Sequence, residues 1–175
     1  QLAGAERLAR EACRIEIERC NAPIGKQDQY IAAYGGLQCI QFNPDESVYT
    51  DPVICKPQTR RLLQSRLLML YTGTTRQTAD VLREQRANTE RDDARRHDLR
   101  QMVALAHNLR AALSADDLAV FGEILHEGWM RKRKLASGIS SQRIDDWYER
   151  GRAAGAQGGK ILGAGGGGFL LLYAP

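Results

Sequence analysis

The sequence predicts an α+β fold, because helical patterns and short strand-like runs occupy separate stretches of the chain. Near the N-terminus, apolar residues recur at the spacing of one helix face, at Leu2, Ala5, Leu8, Ala12 and Ile15. Short apolar runs bounded by turn residues, such as Phe169–Tyr173, predict strands. A length of 175 residues suffices for one domain with a core, or for parts of two.

The first third of the chain predicts two helices and two strands. An amphipathic helix runs from Leu2 to about Arg19, and a second from about Gln27 to Tyr34, which Gly35 and Gly36 end. Leu37–Phe42 and Val48–Cys55 flank the turn signal Asn43-Pro44-Asp45 and predict short strands, the second at an edge because it contains Pro52.

The middle of the chain predicts a buried strand followed by helices. Leu67–Tyr71 is a continuous apolar run, which is typical of a strand buried on both faces. It ends in the polar loop Thr72–Thr75. From Arg83 to Asp98 almost nothing is apolar, which indicates a solvated helix or a bend between two, before helical spacing returns over Leu99–Leu113.

The last third predicts two more helices and a strand pair. Ser114–Asp117 resembles a capping box for a helix that ends in the basic cluster Arg131–Lys134, where cations favour the helix dipole. Ser140 or Ser141 caps the next helix, which stops at Gly155. The remainder reads as strand, tight glycine loop and strand.

Composition narrows the class of protein. Lys and Arg number 25 against 21 Asp and Glu, the two signs are interspersed, and aromatic residues make up only 6%. A nucleic-acid partner is therefore not expected. No apolar stretch approaches the length of about 18 residues that a membrane span needs, so we expect a cytoplasmic protein without a membrane partner. Both termini resemble cut ends, which indicates a fragment.

The four cysteines do not predict a metal site. None forms a Cys-x-x-Cys pair, and no His lies at zinc-ligand spacing from them. Cys13 and Cys20 lie seven residues apart on a predicted helix, the spacing of one buried face, so reduced, buried thiols are expected.

The glycine run from Gly163 to Gly168 predicts an anion-binding loop. A strand follows it instead of a helix, which excludes the dinucleotide fingerprint, and no Gly-Lys-Ser/Thr is present for a Walker loop. A flexible linker would not be clamped between two apolar runs. Positive φ angles or the close approach of another group would exclude side chains here and free backbone N–H groups to face an anion.

Asp28, in Gly25-Lys26-Gln27-Asp28-Gln29-Tyr30, is the candidate base. A lone Asp after a glycine is ordinarily a turn or a helix cap. Together with an anion-binding loop, however, an ionised carboxylate that accepts a proton from an alcohol is a minimal set for phosphoryl transfer.

These motifs resemble the GHMP small-molecule kinases. The resemblance rests on Gly25-x-x-Asp28-Gln29-Tyr30 with Gly35-Gly36, and on Gly159-Lys160-Ile-Leu-Gly163 through Phe169. Tyr71-Thr-Gly-x-x-Arg76 and Trp129-x-x-Lys132-Arg133-x-Leu135 are similar to the D-glycero-D-manno-heptose 7-phosphate kinases in particular. The resemblance implies the tail of the family's N-terminal domain over residues 1–56 and a truncated, ferredoxin-like C-terminal domain with inserted helices over residues 57–175.

The resemblance also implies roles for matching residues. Asp28 would be the catalytic residue, and the glycine loop would face the transferred phosphate of ATP, with Mg²⁺ required but no metal ligand identified in this chain. The residues implied for substrate binding are Gly25, Lys26, Gln29, Tyr30, Thr72, Gly73 and Arg76. Those implied for the phosphate loop are Gly163, Ala164, Gly165, Gly166, Gly167 and Gly168.

One family motif is missing from the chain. A Pro-x-x-x-Gly-Leu-x-Ser-Ser-Ala-like phosphate loop occurs nowhere in it. We therefore expect half an active site and no activity from these 175 residues alone. For the whole protein, the resemblance implies an ATP-dependent kinase for the anomeric hydroxyl of a heptose 7-phosphate. The alternatives are another GHMP sugar kinase, or a non-catalytic module that binds anions or proteins.

Overall fold

The chain forms helices and two small antiparallel sheets, which confirms the predicted α+β class. The structure is a computed structural model that describes residues 3–74 and 78–175. It divides into two compact units, Gln1–Ile54 and Cys55–Pro175.

The first unit pairs two helices with a β-hairpin. Helix α1 (Ala5–Cys13) continues into a π-helical segment (Arg14–Arg19), and α2 spans Gln27–Tyr34, as predicted. Strands β1 (Gln38–Phe42) and β2 (Val48–Pro52) are antiparallel. The core of the unit lies where α1 meets α2, around the buried side chains of Ala9, Cys13 and Tyr30.

The prediction that Cys13 and Cys20 share a buried face is wrong for Cys20. All four cysteines are free, but Cys13 is buried whereas Cys20 is exposed. The π-helical segment between them turns by a smaller angle per residue than an α-helix. Seven residues therefore do not return the chain to the same face, and Cys20 lies at the exposed end of the segment.

The second unit carries the longer helices and a three-stranded sheet. Its α-helices are α3 (Pro57–Ser65), α4 (Thr78–Arg91), α5 (Asp93–Ser114), α6 (Phe121–Lys132) and α7 (Gln142–Ala153). Its strands are β3 (Leu67–Tyr71), β4 (Gly158–Ile161) and β5 (Phe169–Tyr173). The sheet order is β3-β5-β4, and both pairings are antiparallel.

The core of the second unit lies between the sheet and the helices α6 and α7. Leu170 and Leu172 of the central strand β5 are buried, as are Trp129 of α6 and Tyr148 of α7. Ser141 caps α7 through its side-chain oxygen, and Gly155 follows the helix with a φ of 108°, as the sequence predicts. The polar stretch after Arg83 contains a break between α4 and α5, where the Asp92 side chain caps α5.

The prediction that Leu67–Tyr71 is a strand buried on both faces is wrong. The segment is a strand, but it lies at the edge of the sheet and pairs only with β5 among the described residues. The side chains of Leu68, Met69 and Leu70 are 50–60% exposed. An apolar run alone does not distinguish a central strand from an edge strand, because that depends on which segments lie beside it.

The predicted capping box at Ser114–Asp117 is also wrong. Ser114 is the last residue of α5, and α6 begins only at Phe121, without a side-chain cap. Asp116, whose φ is 60°, instead serves the start of α3. Its Oδ1 accepts hydrogen bonds of 2.7 Å from the Lys56 backbone N–H and from the Thr59 hydroxyl.

The substitution Asp116→Asn tests whether this carboxylate ties the two segments together. Hydrogen bonds from the Lys56 N–H and the Thr59 hydroxyl hold the pKa of Asp116 below its usual value. The ionised carboxylate therefore stabilises the fold above an unfolded pKa of about 3.9, and this contribution is lost as the pH falls through the lower folded pKa. We expect Asp116→Asn to lower the melting temperature at about pH 7, and by less near pH 3.

The matched control is Asp146→Asn. Asp146 is exposed on α7 and accepts a hydrogen bond from Gln142 of the same helix. Its replacement should shift the melting temperature little at either pH. An Asp116→Asn variant that melts at the parental temperature near pH 7 would contradict the proposed tie.

Candidate active site

Asp28 lies in the first turn of α2, with its side chain exposed. No hydrogen bond or ion pair to another described residue occupies its carboxylate. Asp28 thus has the free oxygen atoms that a proton acceptor needs, whereas the carboxylate of a helix cap would accept hydrogen bonds from backbone N–H groups.

The residues around Asp28 are engaged within the first unit. Lys26 forms an ion pair with Glu46 in the β-hairpin turn. Gln29 is buried and donates a 2.8 Å hydrogen bond to Glu16, while its amide oxygen has no partner among the described residues. Tyr30 is 3% exposed, and its hydroxyl donates to Glu6 at 3.4 Å.

The first unit has a cleft beside α2. Its volume is about 370 Å³, and its lining includes Gly25, Lys26 and Gln27 together with the hairpin residues Glu46 and Ser47. Gly25 leaves open space around its Cα, since no atom lies within 4 Å of where a Cβ would be. Among the residues implied for substrate binding in this unit, Gly25 and Lys26 line the cleft, whereas Gln29 and Tyr30 are core residues.

The glycine loop joins β4 to β5 in the second unit, and its geometry confirms the expected exclusion of side chains. Gly163, Gly165, Gly166 and Gly168 have φ angles between 70° and 108°. A Cβ on Gly165 would lie 2.8 Å from the Ile139 backbone, and one on Gly167 would lie 2.5 Å from the Thr74 carbonyl oxygen. Only glycine meets both constraints without displacing backbone.

Two backbone N–H groups of the loop donate hydrogen bonds to carbonyl groups of neighbouring segments, and several others do not. Gly166 donates to the Ile139 carbonyl at 2.8 Å, and Gly168 donates to the Thr74 carbonyl at 2.9 Å. The N–H groups of Gly163, Ala164 and Gly165 have no backbone acceptor among the described residues. The loop is therefore anchored at two points and retains donors of the kind that bind an anion.

Thr72 and Gly73 lie against the glycine loop. The Thr72 N–H and hydroxyl both donate to the Gly168 carbonyl oxygen, each at 2.9 Å. Thr72 is buried and Gly73 is exposed. The structure thus brings the predicted substrate loop and the predicted phosphate loop together. Arg76, the third residue implied for this loop, lies outside the described residues.

The sequence does not single out Lys132 as a site residue, because a basic cluster at the end of a helix has a local explanation. In the structure its ammonium group donates a hydrogen bond to the Gly163 carbonyl oxygen at the start of the glycine loop. Burial and the nearby charge of Lys160 lower the pKa of Lys132 to about 8. The contact spans 31 residues of sequence, so no local pattern could have revealed it.

Within residues 3–74 and 78–175 the structure contains no evident metal centre. No group of three His, Cys, Asp or Glu side chains lies close enough to hold a metal ion. No helix of this part of the chain is long and apolar enough to cross a lipid bilayer.

Comparison with known proteins identifies relatives of the chain. Residues 105–174 match the family model described as "GHMP kinases C terminal". The D-glycero-alpha-D-manno-heptose 7-phosphate kinase of Campylobacter jejuni is 27% identical over 170 residues, which are 97% of this chain and 50% of that protein. The chain therefore spans half the length of this curated relative.

Comparison with solved structures also identifies small-molecule kinases as similar proteins. A D-glycero-D-manno-heptose 1-phosphate kinase from Bacteroides thetaiotaomicron is similar with a TM-score of 0.68 and 25% identity, over 99% of this chain and 46% of that one. Leishmania major mevalonate kinase is similar with a TM-score of 0.73 and 19% identity, over 98% and 50%. At 19% identity, the similarity to the mevalonate kinase indicates a shared fold only.

We predict that Gly165→Ala destabilises the loop more than Gly163→Ala does. Both positions have positive φ, which costs an alanine about 1–2 kcal/mol. At Gly163 no atom lies within 4 Å of the new methyl, whereas at Gly165 the methyl would lie 2.8 Å from the Ile139 backbone. Overpacking of that kind costs about 1–3 kcal/mol more.

Thermal melting of the intact protein measures this difference. The Gly165→Ala variant should melt about 2–12 °C below the Gly163→Ala variant, at roughly 2–4 °C per kcal/mol. Equal melting temperatures for the two variants would show that the loop can move away from Ile139 at little cost.

Proposed function

We propose that the protein, whose residues 105–174 match the family model of the GHMP kinase C-terminal domain, is an ATP-dependent kinase that phosphorylates a hydroxyl group of a sugar. The observation that carries the proposal is the glycine loop, which is anchored at Ile139 and Thr74 and keeps N–H donors that have no backbone acceptor among the described residues. Such donors stabilise the charge that develops on a phosphoryl group during its transfer.

The proposed substrate is D-glycero-D-manno-heptose 7-phosphate, phosphorylated at its anomeric hydroxyl. The support is the heptose 7-phosphate kinase that is 27% identical over nearly the whole chain. At that level of identity another sugar is an alternative substrate within the same class of kinase. A non-catalytic module that binds an anion on the loop is the alternative outside the class.

In the proposed reaction, the hydroxyl oxygen of the sugar attacks the γ-phosphorus of ATP. The new O–P bond forms as the bond between that phosphorus and the bridging oxygen breaks, and ADP leaves. Asp28 accepts the proton of the hydroxyl. Its exposed carboxylate, free of partners among the described residues, suits this role because it is available to a substrate.

The other residues implied for the site receive positioning roles in this proposal. Gly25 and Lys26 line the cleft beside α2 and would admit the sugar. Thr72 and Gly73 would hold the substrate next to the glycine loop, with Arg76 contributing a cation. Gln29 and Tyr30 would support α2 from the core through their bonds to Glu16 and Glu6.

The proposed reaction includes Mg²⁺ together with ATP. Among the described residues no group of three His, Cys, Asp or Glu side chains lies close enough to hold a metal ion, and Mg²⁺ in such enzymes is often held by one or two carboxylates with the phosphates themselves. We therefore assign no step of the reaction to residues of this chain acting through the metal.

We further propose that residues 1–56 are the last part of the kinase N-terminal domain and residues 57–175 its C-terminal domain. The division of the chain into compact units between Ile54 and Cys55 supports that assignment. Asp28 and the glycine loop would then come from different domains. A kinase that consumes ATP is expected in the cytoplasm.

We predict that Asp28→Asn in the full-length kinase lowers kcat by about 10²–10⁴-fold, the usual contribution of a positioned proton acceptor. The amide keeps the shape of the side chain and loses its charge, so the KM for the sugar should change far less. Steady-state kinetics with purified protein measure both constants.

The control for this variant is Asp93→Asn. Asp93 also stands in the first turn of a helix, and its side chain is 92% exposed. Its replacement should leave kcat within about twofold, since surface substitutions have small effects. A normal kcat for Asp28→Asn would reduce Asp28 to a structural residue.

A substrate comparison tests the sugar. We expect the full-length protein to transfer phosphate from ATP to the heptose 7-phosphate with a kcat/KM about 10–150-fold above that for the same heptose without its phosphate, the worth of one charged hydrogen bond. A preference for a different sugar would support the proposed kinase activity and contradict the proposed substrate. No transfer to any sugar, with phosphate binding retained, would favour the non-catalytic module.

A further inference from the structure

Two lysines of the second unit line one small cavity. Lys132 is the last residue of α6, and Lys160 is the third residue of β4. The cavity between α5, α6 and β4 has a volume of about 140 Å³, and the rest of its lining is apolar, including Met102 and Leu105. Two cationic side chains therefore line one cavity whose other walls are apolar.

The partners of the neighbouring basic residues set Lys132 apart. Arg131 pairs with Asp98 at 3.0 Å and with Glu127 at 2.7 Å, and Arg133 pairs with Asp145 at 2.6 Å. Lys132 instead donates to the Gly163 carbonyl oxygen. Within the described part of the chain, neither Lys132 nor Lys160 forms an ion pair with a carboxylate.

This arrangement is electrostatically unfavourable as it stands. Burial lowers the pKa of Lys160, and burial together with the charge of Lys160 lowers that of Lys132 to about 8. With a pKa of about 8, Lys132 still carries its proton for most of the time at neutral pH. Like charges that are partly removed from water and lack a counterion cost free energy, which a bound anion would offset.

The position and size of the recess indicate which kind of anion would fit it. Lys132 reaches the first residue of the glycine loop, where the N–H groups of Ala164 and Gly165 have no backbone acceptor among the described residues. A volume of about 140 Å³ is below the roughly 300–1,000 Å³ of a pocket that encloses a whole small ligand. It suits a single phosphate group.

We propose that Lys132 and Lys160 form a binding site for a phosphate group at the start of the glycine loop. The inference deepens the proposed function and rests on it for the source of that phosphate, which is either ATP or the phosphorylated sugar. The two ammonium groups would each donate to phosphate oxygens, and Lys132 would link the phosphate to the loop through Gly163.

Equilibrium binding tests the site without requiring turnover. The intact protein is titrated by calorimetry with the non-hydrolysable ATP analogue AMP-PNP and, separately, with heptose 7-phosphate. Lys132→Met and Lys160→Met should each weaken one of these ligands by about 10–150-fold, the loss of a charged hydrogen bond. The ligand that weakens identifies the source of the phosphate. Inorganic phosphate should compete with that same ligand.

Lys134→Met is the matched control. Lys134 belongs to the same basic cluster but is exposed and does not line the cavity, so its replacement should alter neither affinity beyond about twofold. Methionine keeps the apolar stem of lysine without its charge, so the two cavity variants should remain folded, which their thermal melting measures. Lys132→Arg, which keeps the charge, should bind more tightly than Lys132→Met.

A pH series separates a direct contact from a packing role. The groups that face Lys132 are Lys160 from β4 and apolar side chains from α5 and α6. Because the protonated lysine binds the anion, affinity should fall as the pH rises through about 8. The fall should be smaller in Lys132→Arg, whose guanidinium stays charged.

Cavity variants that bind both ligands as the parent does would overturn the inference. If the full-length protein phosphorylates sugars and these affinities do not change, the inference fails and the proposed function stands. If the cavity variants lose binding but the parent transfers no phosphate, the inference stands and the proposed function fails.

Discussion

The second unit depends on one strand that is paired on both sides. β5 forms hydrogen bonds with β3 and with β4, and its buried Leu170 and Leu172 connect the sheet to the core beneath α7. Strand β5 begins directly after the glycine loop. The pairing of β5 with its neighbours therefore fixes the position of Gly168, the last residue of the loop. The Thr72 N–H and hydroxyl then bind the Gly168 carbonyl oxygen. A loop that would otherwise be flexible is thereby held in one conformation.

The parts of the fold that local sequence patterns determine were predicted well. α2 lies between Gly25 and Gly35, α7 begins at the Ser141 cap, and the glycine loop stands between two strands, because caps and glycines act on their nearest neighbours. The wrong predictions concern contacts between residues that are far apart in the sequence. The exposure of β3 depends on which strands lie beside it, and Asp116 bonds to Lys56, which is 60 residues away.

The candidate site divides in the same way. The sequence singles out Asp28 and the glycine loop as candidates because each belongs to a short motif with its own chemistry. It does not single out the recess of Lys132 and Lys160, because helix α6 and strand β4 meet only in the folded unit and the sequence offers an adequate local reason for a lysine at a helix end. Of the residues implied for substrate binding, Gln29 and Tyr30 have structural partners that sequence cannot reveal.

The exposed apolar edge of β3 has a consequence for biosynthesis. Leu67 pairs with Tyr173, so the partner strand of β3 leaves the ribosome about a hundred residues later. At roughly 5–20 residues per second, the segment Leu67–Tyr71 emerges about 5–20 s before β5 exists. Throughout that interval an apolar strand without a partner is open to pairing with another nascent chain.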